Sequence, residues 1–91
     1  TEKNEYVLSK QLLRSGTSVG AMVRESEHAE SKADFIHKLA IAQKESNETL
    51  YWLELLNRTD YLKVSEFESI NNDVTEIIKL LTSIIITTKK G

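Results

Sequence analysis

The sequence predicts an all-α protein, an up-and-down antiparallel bundle of long helices. Its 91 residues include no proline and three glycines, a composition that permits long uninterrupted helices. Apolar or small residues recur at intervals of four and three along three segments, the spacing that forms one stripe on a helix. Short connections separate the segments, which makes consecutive helices antiparallel. We predict helices at about residues 4–29, 32–57 and 66–88, in one domain spanning 1–91.

The first predicted helix contains two glycines, Gly16 and Gly20, at positions where glycine costs about 1 kcal/mol relative to alanine. They lie four residues apart on one helical face, so we interpret them as a seam where a neighbouring backbone approaches closely, and we keep the helix continuous. With a turn near residue 30, Gly20 would face Ala40 of the second helix. The stripe of this helix consists of Leu8, Leu12, Ser15, Val19, Met22 and Ser26.

The second helix organises the rest of the predicted fold. Ser31 and Asp34 form a capping-box pattern at its start. Near its end, residues 50–56 are apolar almost all the way round, which predicts burial on more than one side. The stripe consists of Phe35, Leu39, Ala42, Ser46, Thr49, Leu53 and Leu56.

The third helix is the most apolar. Ser65 and Glu68 form a second capping-box pattern at its start. The β-branched run Ile84–Thr88 could form a strand, but a lone strand would have no partner, so we predict helix. Its isoleucines and leucines cover most of the circumference. We therefore expect a fourth helix, from another chain or from residues preceding Thr1, to lie against them, and we expect chains to associate.

Composition excludes several classes of protein. The net charge of −2 and the pI near 5.7 lack the strongly basic character of tight nucleic-acid binders. The absence of cysteine excludes disulfides and thiolate metal sites. We find no apolar run of the ~20 residues that span a bilayer, and no signal-peptide pattern. We therefore expect a cytoplasmic protein without a membrane partner or a small-molecule substrate.

Arg14 is the most informative polar residue. The antiparallel register brings it within reach of Glu45 or Glu48. One interpretation is a partly buried ion pair that fixes the register of the first two helices, and this is the interpretation we favour. The alternative is that Arg14 contacts an anion or a phosphate at an oligomer surface.

Two acid-x-x-His patterns, Glu25–His28 and Asp34–His37, have the spacing that places two metal ligands on one helical face. A di-iron bundle needs two more inward glutamates at the same level, whereas these two patterns flank a turn. Neither histidine comes near Ser15 or Ser18 in the antiparallel register, and no phosphate-binding glycine loop is present. We predict no catalytic, cofactor-binding or metal-binding residue.

Four basic residues are candidates for weak nucleic-acid contacts: Lys10, Arg24, Lys38 and Lys44. They are interleaved with acidic residues, so a solvated mixed face is the expected arrangement. Oligomerisation could still gather them into a band that binds RNA or DNA.

Two stretches, Gln11–Glu25 and Ser31–Leu56, resemble the second and third helices of the four-helix-bundle family named for the 23S rRNA intervening-sequence protein. The resemblance implies a left-handed up-and-down four-helix bundle, often a ring-shaped homopentamer, with no enzymatic activity. Relatives include the accessory protein of diversity-generating retroelements, a partner of reverse transcriptase and nucleic acid. The family's first helix would precede Thr1, and Met22 stands where the family usually has asparagine.

These observations predict a non-enzymatic, self-associating scaffold or adaptor that forms a homo-oligomer, a pentamer-like ring by resemblance. The alternative is an RNA- or DNA-binding accessory protein that works with ribosomal RNA or a reverse transcriptase.

Overall fold

The computed structural model describes residues 2–91, with side chains from Glu5 onward, and these residues form helices without a strand. The helices are α1 (Glu2–Ser26), α2 (Lys32–Arg58) and α3 (Val64–Lys90). The three predicted segments are confirmed, and each predicted end lies within a few residues of the observed one. The fourth helix of the predicted bundle is not among the described residues.

The start of α2 follows the capping prediction in part. Ser31 is the N-cap residue, and its hydroxyl oxygen accepts a hydrogen bond from the Asp34 amide at 3.0 Å. The carboxylate of Asp34 accepts from the amide of Glu30 at 3.3 Å. Ser31 thereby satisfies a backbone N–H of the first helical turn, which has no carbonyl partner within the helix, and Asp34 satisfies an N–H just ahead of the helix.

The start of α3 lies earlier than predicted. The N-cap residue is Lys63, and its amide donates to the Glu66 side chain at 3.2 Å. The prediction that Ser65 begins this helix is wrong, because Glu66 reaches back to Lys63 and satisfies a free donor there. The β-branched run Ile84–Thr88 is helical, as predicted.

α2 is the central helix. α1 and α3 each pack against it, and no Cα atom of α1 lies within 8 Å of a Cα atom of α3. The main core cluster lies where α2 meets α3, with three α1 side chains at its edge. The buried members are Leu39, Ala42, Leu81 and Ile85, and the partly buried ones are Val19, Met22, Val23, Phe35, Ile36 and Ile84.

The register of α1 and α2 differs from the predicted one by about one helical turn. The residue pairs observed across the two helices place the midpoint of the chain reversal at about residues 31–32, later than the predicted turn near residue 30. Gly20 therefore does not face Ala40. The pairs that meet across the two helices are Ser15 with Thr49, Arg14 with Glu48, and Glu25 with Lys38.

The seam between α1 and α2 is built from serine and alanine. Ser15 and Ala42 are fully buried. Gly16, Gly20 and Ala40 are exposed, and no described residue other than the adjoining ones of α1 lies within 4 Å of a Cβ atom placed on either glycine. The prediction that Gly16, Gly20 and Ala40 form this seam is wrong, because the face of α1 that meets α2 is centred on Ser15. Gly16 lies about 100° further round the helix.

Candidate interaction surfaces

A buried pair of hydroxyl groups joins α1 to α2. The side-chain oxygens of Ser15 and Thr49 are 2.9 Å apart. Ser15 also lies 3.1 Å from the carbonyl oxygen of Leu12, and Thr49 lies 2.8 Å from that of Glu45. Hydroxyl and carbonyl oxygens cannot act as a general base for serine, so this arrangement serves packing and not nucleophilic catalysis.

Next to the hydroxyl pair, Arg14 lies between two carboxylates of α2. Its guanidinium is hydrogen-bonded to Glu48, and its Nη1 atom is 3.6 Å from Oε2 of Glu45. Gln11 accepts from Nε of Arg14 at 3.0 Å, and the indole N–H of Trp52 donates to Glu48 at 3.1 Å. The pairing that the sequence predicted for Arg14 is present, and it involves both glutamates.

The indole hydrogen bond from Trp52 lowers the pKa of Glu48, the charge of Arg14 lowers it further, and burial opposes both effects. Glu48 therefore remains ionised at neutral pH. Oε2 of Glu45 is buried and makes no hydrogen bond, so its polar contact is with Arg14. Binding of an external anion by Arg14 would remove the guanidinium from these carboxylates, which makes the ion-pair role the better interpretation of this geometry.

An open groove runs between α1 and α3, with α2 as its floor. We call it the α1–α3 groove. It consists of two cavities of about 420 and 450 Å³. Several side chains on its walls are apolar and exposed, including Leu13 and Leu80, which are 72% and 60% exposed. The walls are formed by Ser9, Leu12, Leu13, Gly16, Thr17, Val19, Gly20, Val23 and Ser26 on α1, by Glu27 directly after α1, and by Ile70, Val74, Ile77, Leu80, Leu81 and Ile84 on α3.

A second apolar surface lies away from the groove. We call it the outer face, and it comprises Val7, Tyr51, Trp52 and Leu55. Val7 and Tyr51 are exposed, and the other two side chains are partly buried. The rings of Tyr51 and Trp52 meet edge to face with their centroids 4.9 Å apart. Tyr51 and the buried Leu53 lie on opposite sides of α2, because two residues span about 200° of a helix.

The four candidate nucleic-acid residues do not form a single patch within the described chain. Lys38 lies 3.8 Å from the carboxylate of Glu25. Arg24 and Lys38 line a shallow cavity at the α1–α2 turn together with acidic residues. Lys10 and Lys44 are exposed elsewhere on α1 and α2.

The two histidines lie near the same turn. His28 lines the mixed-charge cavity, and His37 is exposed. Within the part of the chain that the structure describes, no group of three or more His, Cys, Asp or Glu side chains is arranged to hold a metal ion. None of the described helices combines the length and the apolar character needed to cross a bilayer.

Sequence reasoning missed two features of these surfaces. The first is the bond between Trp52 and Glu48, whose i, i+4 spacing could have indicated it. The second is the bond from the Gln43 side chain to Thr82 at 2.7 Å, which ties α2 to α3. Nothing in the local sequence indicates that contact, because it depends on the α2–α3 register.

Comparison with known proteins identifies the family. A model of the family described as 23S rRNA-intervening sequence protein matches residues 1–83. A crystal structure at 1.70 Å of a protein with unknown function from the S23 ribosomal protein family of Bacteroides thetaiotaomicron VPI-5482 has 67% sequence identity and a TM-score of 0.88. The match covers 92% of this chain and 78% of that one. No curated protein matches. The chain therefore belongs to the 23S rRNA-intervening sequence protein family.

Proposed function

We propose that this protein is a non-enzymatic, self-associating helical-bundle scaffold or adaptor that acts as a cytoplasmic homo-oligomer. The observation that carries the proposal is the amount of apolar side-chain surface exposed on two sides of the helices, in the α1–α3 groove and on the outer face. Monomeric proteins seldom expose contiguous apolar surfaces of this kind, and such surfaces usually mark sites of association.

In this proposal the α1–α3 groove receives a fourth helix and thereby completes an up-and-down four-helix bundle. The groove has apolar walls on two helices and an apolar floor on the third, the form of a bundle that lacks one member. Part of the solved relative lies outside the region that matches this chain. The occupant we propose is the family's first helix, which the resemblance places ahead of Thr1.

The completed bundles associate through the outer face, as a ring of five, the assembly that the resemblance implies. Tyr51 and Trp52 supply the large aromatic area that is enriched at interfaces between proteins, and Val7 and Leu55 extend it. Arg14 and Glu48 lie beside Trp52 and provide a polar border.

Light scattering of the purified protein tests this function. We expect a mass several times that of the 10.4 kDa chain, and we expect Tyr51→Lys to reduce it. Ala40→Lys is the matched control, since Ala40 is exposed on the same side of α2, three turns away. A monomer at every concentration would refute self-association, and an equal loss with both variants would refute the assignment to the outer face.

The alternative function, RNA or DNA binding, depends on assembly to bring together Lys10, Arg24, Lys38 and Lys44, because the single chain does not. A salt titration of RNA binding tests it. RNA binding that weakens steeply as the salt concentration rises supports this function, and no RNA binding at low salt refutes it.

A further inference from the structure

We propose that the helix received by the α1–α3 groove is a basic, amphipathic helix of roughly 18 residues that packs more closely against α1 than against α3. This inference rests on the proposed function, in which the groove receives a fourth helix, and it specifies the chemistry of that helix.

The extent of the groove sets the length of the occupant. Along α1 the lining runs from Ser9 to Glu27, the residue directly after the helix, and on α3 it runs from Ile70 to Ile84. At about 1.5 Å per residue, the α1 wall is ~27 Å long, which corresponds to five turns of a helix lying alongside it.

The glycines of α1 determine where the occupant lies closest. Gly16 and Gly20 line the groove and are exposed, and apart from the adjoining α1 residues no atom of the described chain lies within 4 Å of a Cβ placed on either one. After proline, glycine is the least favourable residue in a helix, and no contact within the described chain requires it here. A glycine stripe on an exposed helical face permits close approach of another helix backbone.

The charges around the groove select a basic occupant. Glu27 lines the groove itself. Asp73 and Glu76 adjoin its α3 wall at Ile77 and Leu80. At the other end, Glu5 accepts a hydrogen bond from Ser9, which lines the groove.

Lys79 is the basic residue on the same surface of α3, and Arg24 lines a separate cavity at the α1–α2 turn. With Lys10, which lies one turn before Leu13 on α1, two basic side chains border the groove, against four acidic ones. Lysine or arginine residues flanking the apolar stripe of the occupant would complement them.

A second copy of this chain does not supply a helix of that kind. In each of α1, α2 and α3, the numbers of acidic and basic residues differ by no more than one. A copy docking one of these helices into the groove would bring nearly as many repulsive contacts as attractive ones. A helix from outside α1–α3 is thus the better complement.

Two synthetic peptides test the inference against the full chain. Both have about 18 residues and the same leucine stripe with small residues along one edge, and they differ only in flanking lysines or flanking glutamates. By fluorescence anisotropy at low salt, we expect the lysine peptide to bind roughly tenfold more tightly, as a few unscreened charge contacts would produce. At about 1 M salt, where screening acts over about 3 Å, the two affinities should converge.

Variants locate the site. Combining Asp73→Lys with Glu76→Lys should reverse the peptide preference. Gly20→Leu should weaken binding of both peptides without unfolding the chain, because the position is open. Ala21→Leu is the matched control: Ala21 is also exposed on α1, but it lies about 100° further round the helix and does not line the groove.

Equal affinities at low salt, tighter binding of the glutamate peptide, or no binding of either peptide would overturn the inference. Light scattering tests the proposed function separately. If the chain self-associates but binds the two peptides with equal affinity, only this inference is refuted. If the chain is a monomer that binds the lysine peptide more tightly, only self-association is refuted.

Discussion

At the scale of single residues, the hydroxyl pair of Ser15 and Thr49 shows how polar groups are accommodated between α1 and α2. Both side chains are buried, and both find oxygen partners within the protein. We expect Thr49→Val to reduce the free energy of unfolding by about 1 kcal/mol, since it retains the shape and removes one satisfied hydroxyl. Urea denaturation measures this change.

The exposed Thr87 of α3 provides the control for that substitution, and Thr87→Val should change stability little. If the two hydroxyls support each other, Ser15→Ala combined with Thr49→Val will cost less than the sum of the single changes. A strictly additive double variant would contradict the direct contact.

The ion pair of Arg14 and Glu48 gives a pH-dependent prediction. Because the pKa of Glu48 is lower in the folded chain than in the unfolded one, its charge stabilises the fold above its ordinary pKa, near 4.5. That stabilisation is lost as the pH falls through the lowered pKa. The midpoints of thermal unfolding of wild type and Glu48→Gln should therefore differ at pH 7 and converge in acid.

A double-mutant cycle at pH 7 tests the partner. Arg14→Ala and Glu48→Ala should together destabilise less than the sum of their separate effects. Additivity would show that the pair does not fix the register of α1 and α2. Glu54→Ala, which removes an exposed partner of Arg58 within α2, is the matched comparison.

Asp60 carries the strain of the α2–α3 turn. Its φ angle of 62° lies in the left-handed region, which non-glycine residues seldom adopt. We expect Asp60→Gly to stabilise the protein by about 0.5–1 kcal/mol, because glycine occupies this region freely. The same substitution in the middle of α3, Asp73→Gly, should destabilise by a comparable amount. Chemical denaturation of both variants checks the contrast, and a loss of stability at Asp60 would contradict it.

At the scale of the helix, α1 retains two glycines that its own contacts do not require. Replacing Gly16 or Gly20 with alanine should raise the free energy of unfolding of the chain by about 1 kcal/mol each, because alanine favours helix and meets no neighbour. Ala21→Gly, at an exposed position of the same helix, should lower it by a similar amount. No gain from either glycine replacement would mean that a neighbour already occupies the space.

The existence and type of the three helices could be predicted from sequence, because their apolar stripes and Ser31 are local signals. The register could not. It depends on where the chain reverses between α1 and α2, and a reversal one or two residues later than predicted shifts the pairing by about one turn and separates Gly20 from Ala40. Arg14 still met both predicted partners, because Glu45 and Glu48 lie one turn apart and a long side chain tolerates such a shift.

At the scale of the whole molecule, the three helices form a thin slab. The Cα atoms extend 48 × 21 × 14 Å, and the radius of gyration is 14.8 Å, compared with about 12 Å for a compact domain of this length. The slab is little thicker than one helix, since α1 and α3 flank α2 without touching through their backbones. The excess of apolar surface could be predicted from the sequence. Its position between α1 and α3 could not, because it depends on how each helix is rotated about its own axis.

This geometry gives two adjacent leucines of α3 opposite roles. Leu81 is 4% exposed and belongs to the core, whereas Leu80 is 60% exposed on the groove wall. Leu81→Ala should destabilise the protein by about 2–5 kcal/mol, and Leu80→Ala by less than about 0.5 kcal/mol. With an apolar dye that fluoresces on exposed hydrophobic surface, Leu80→Ala should lower binding to the folded protein. If instead Leu80→Ala proves as damaging as Leu81→Ala, the groove is already closed by another helix in the lone chain, and the exposed surface on which assembly depends does not exist.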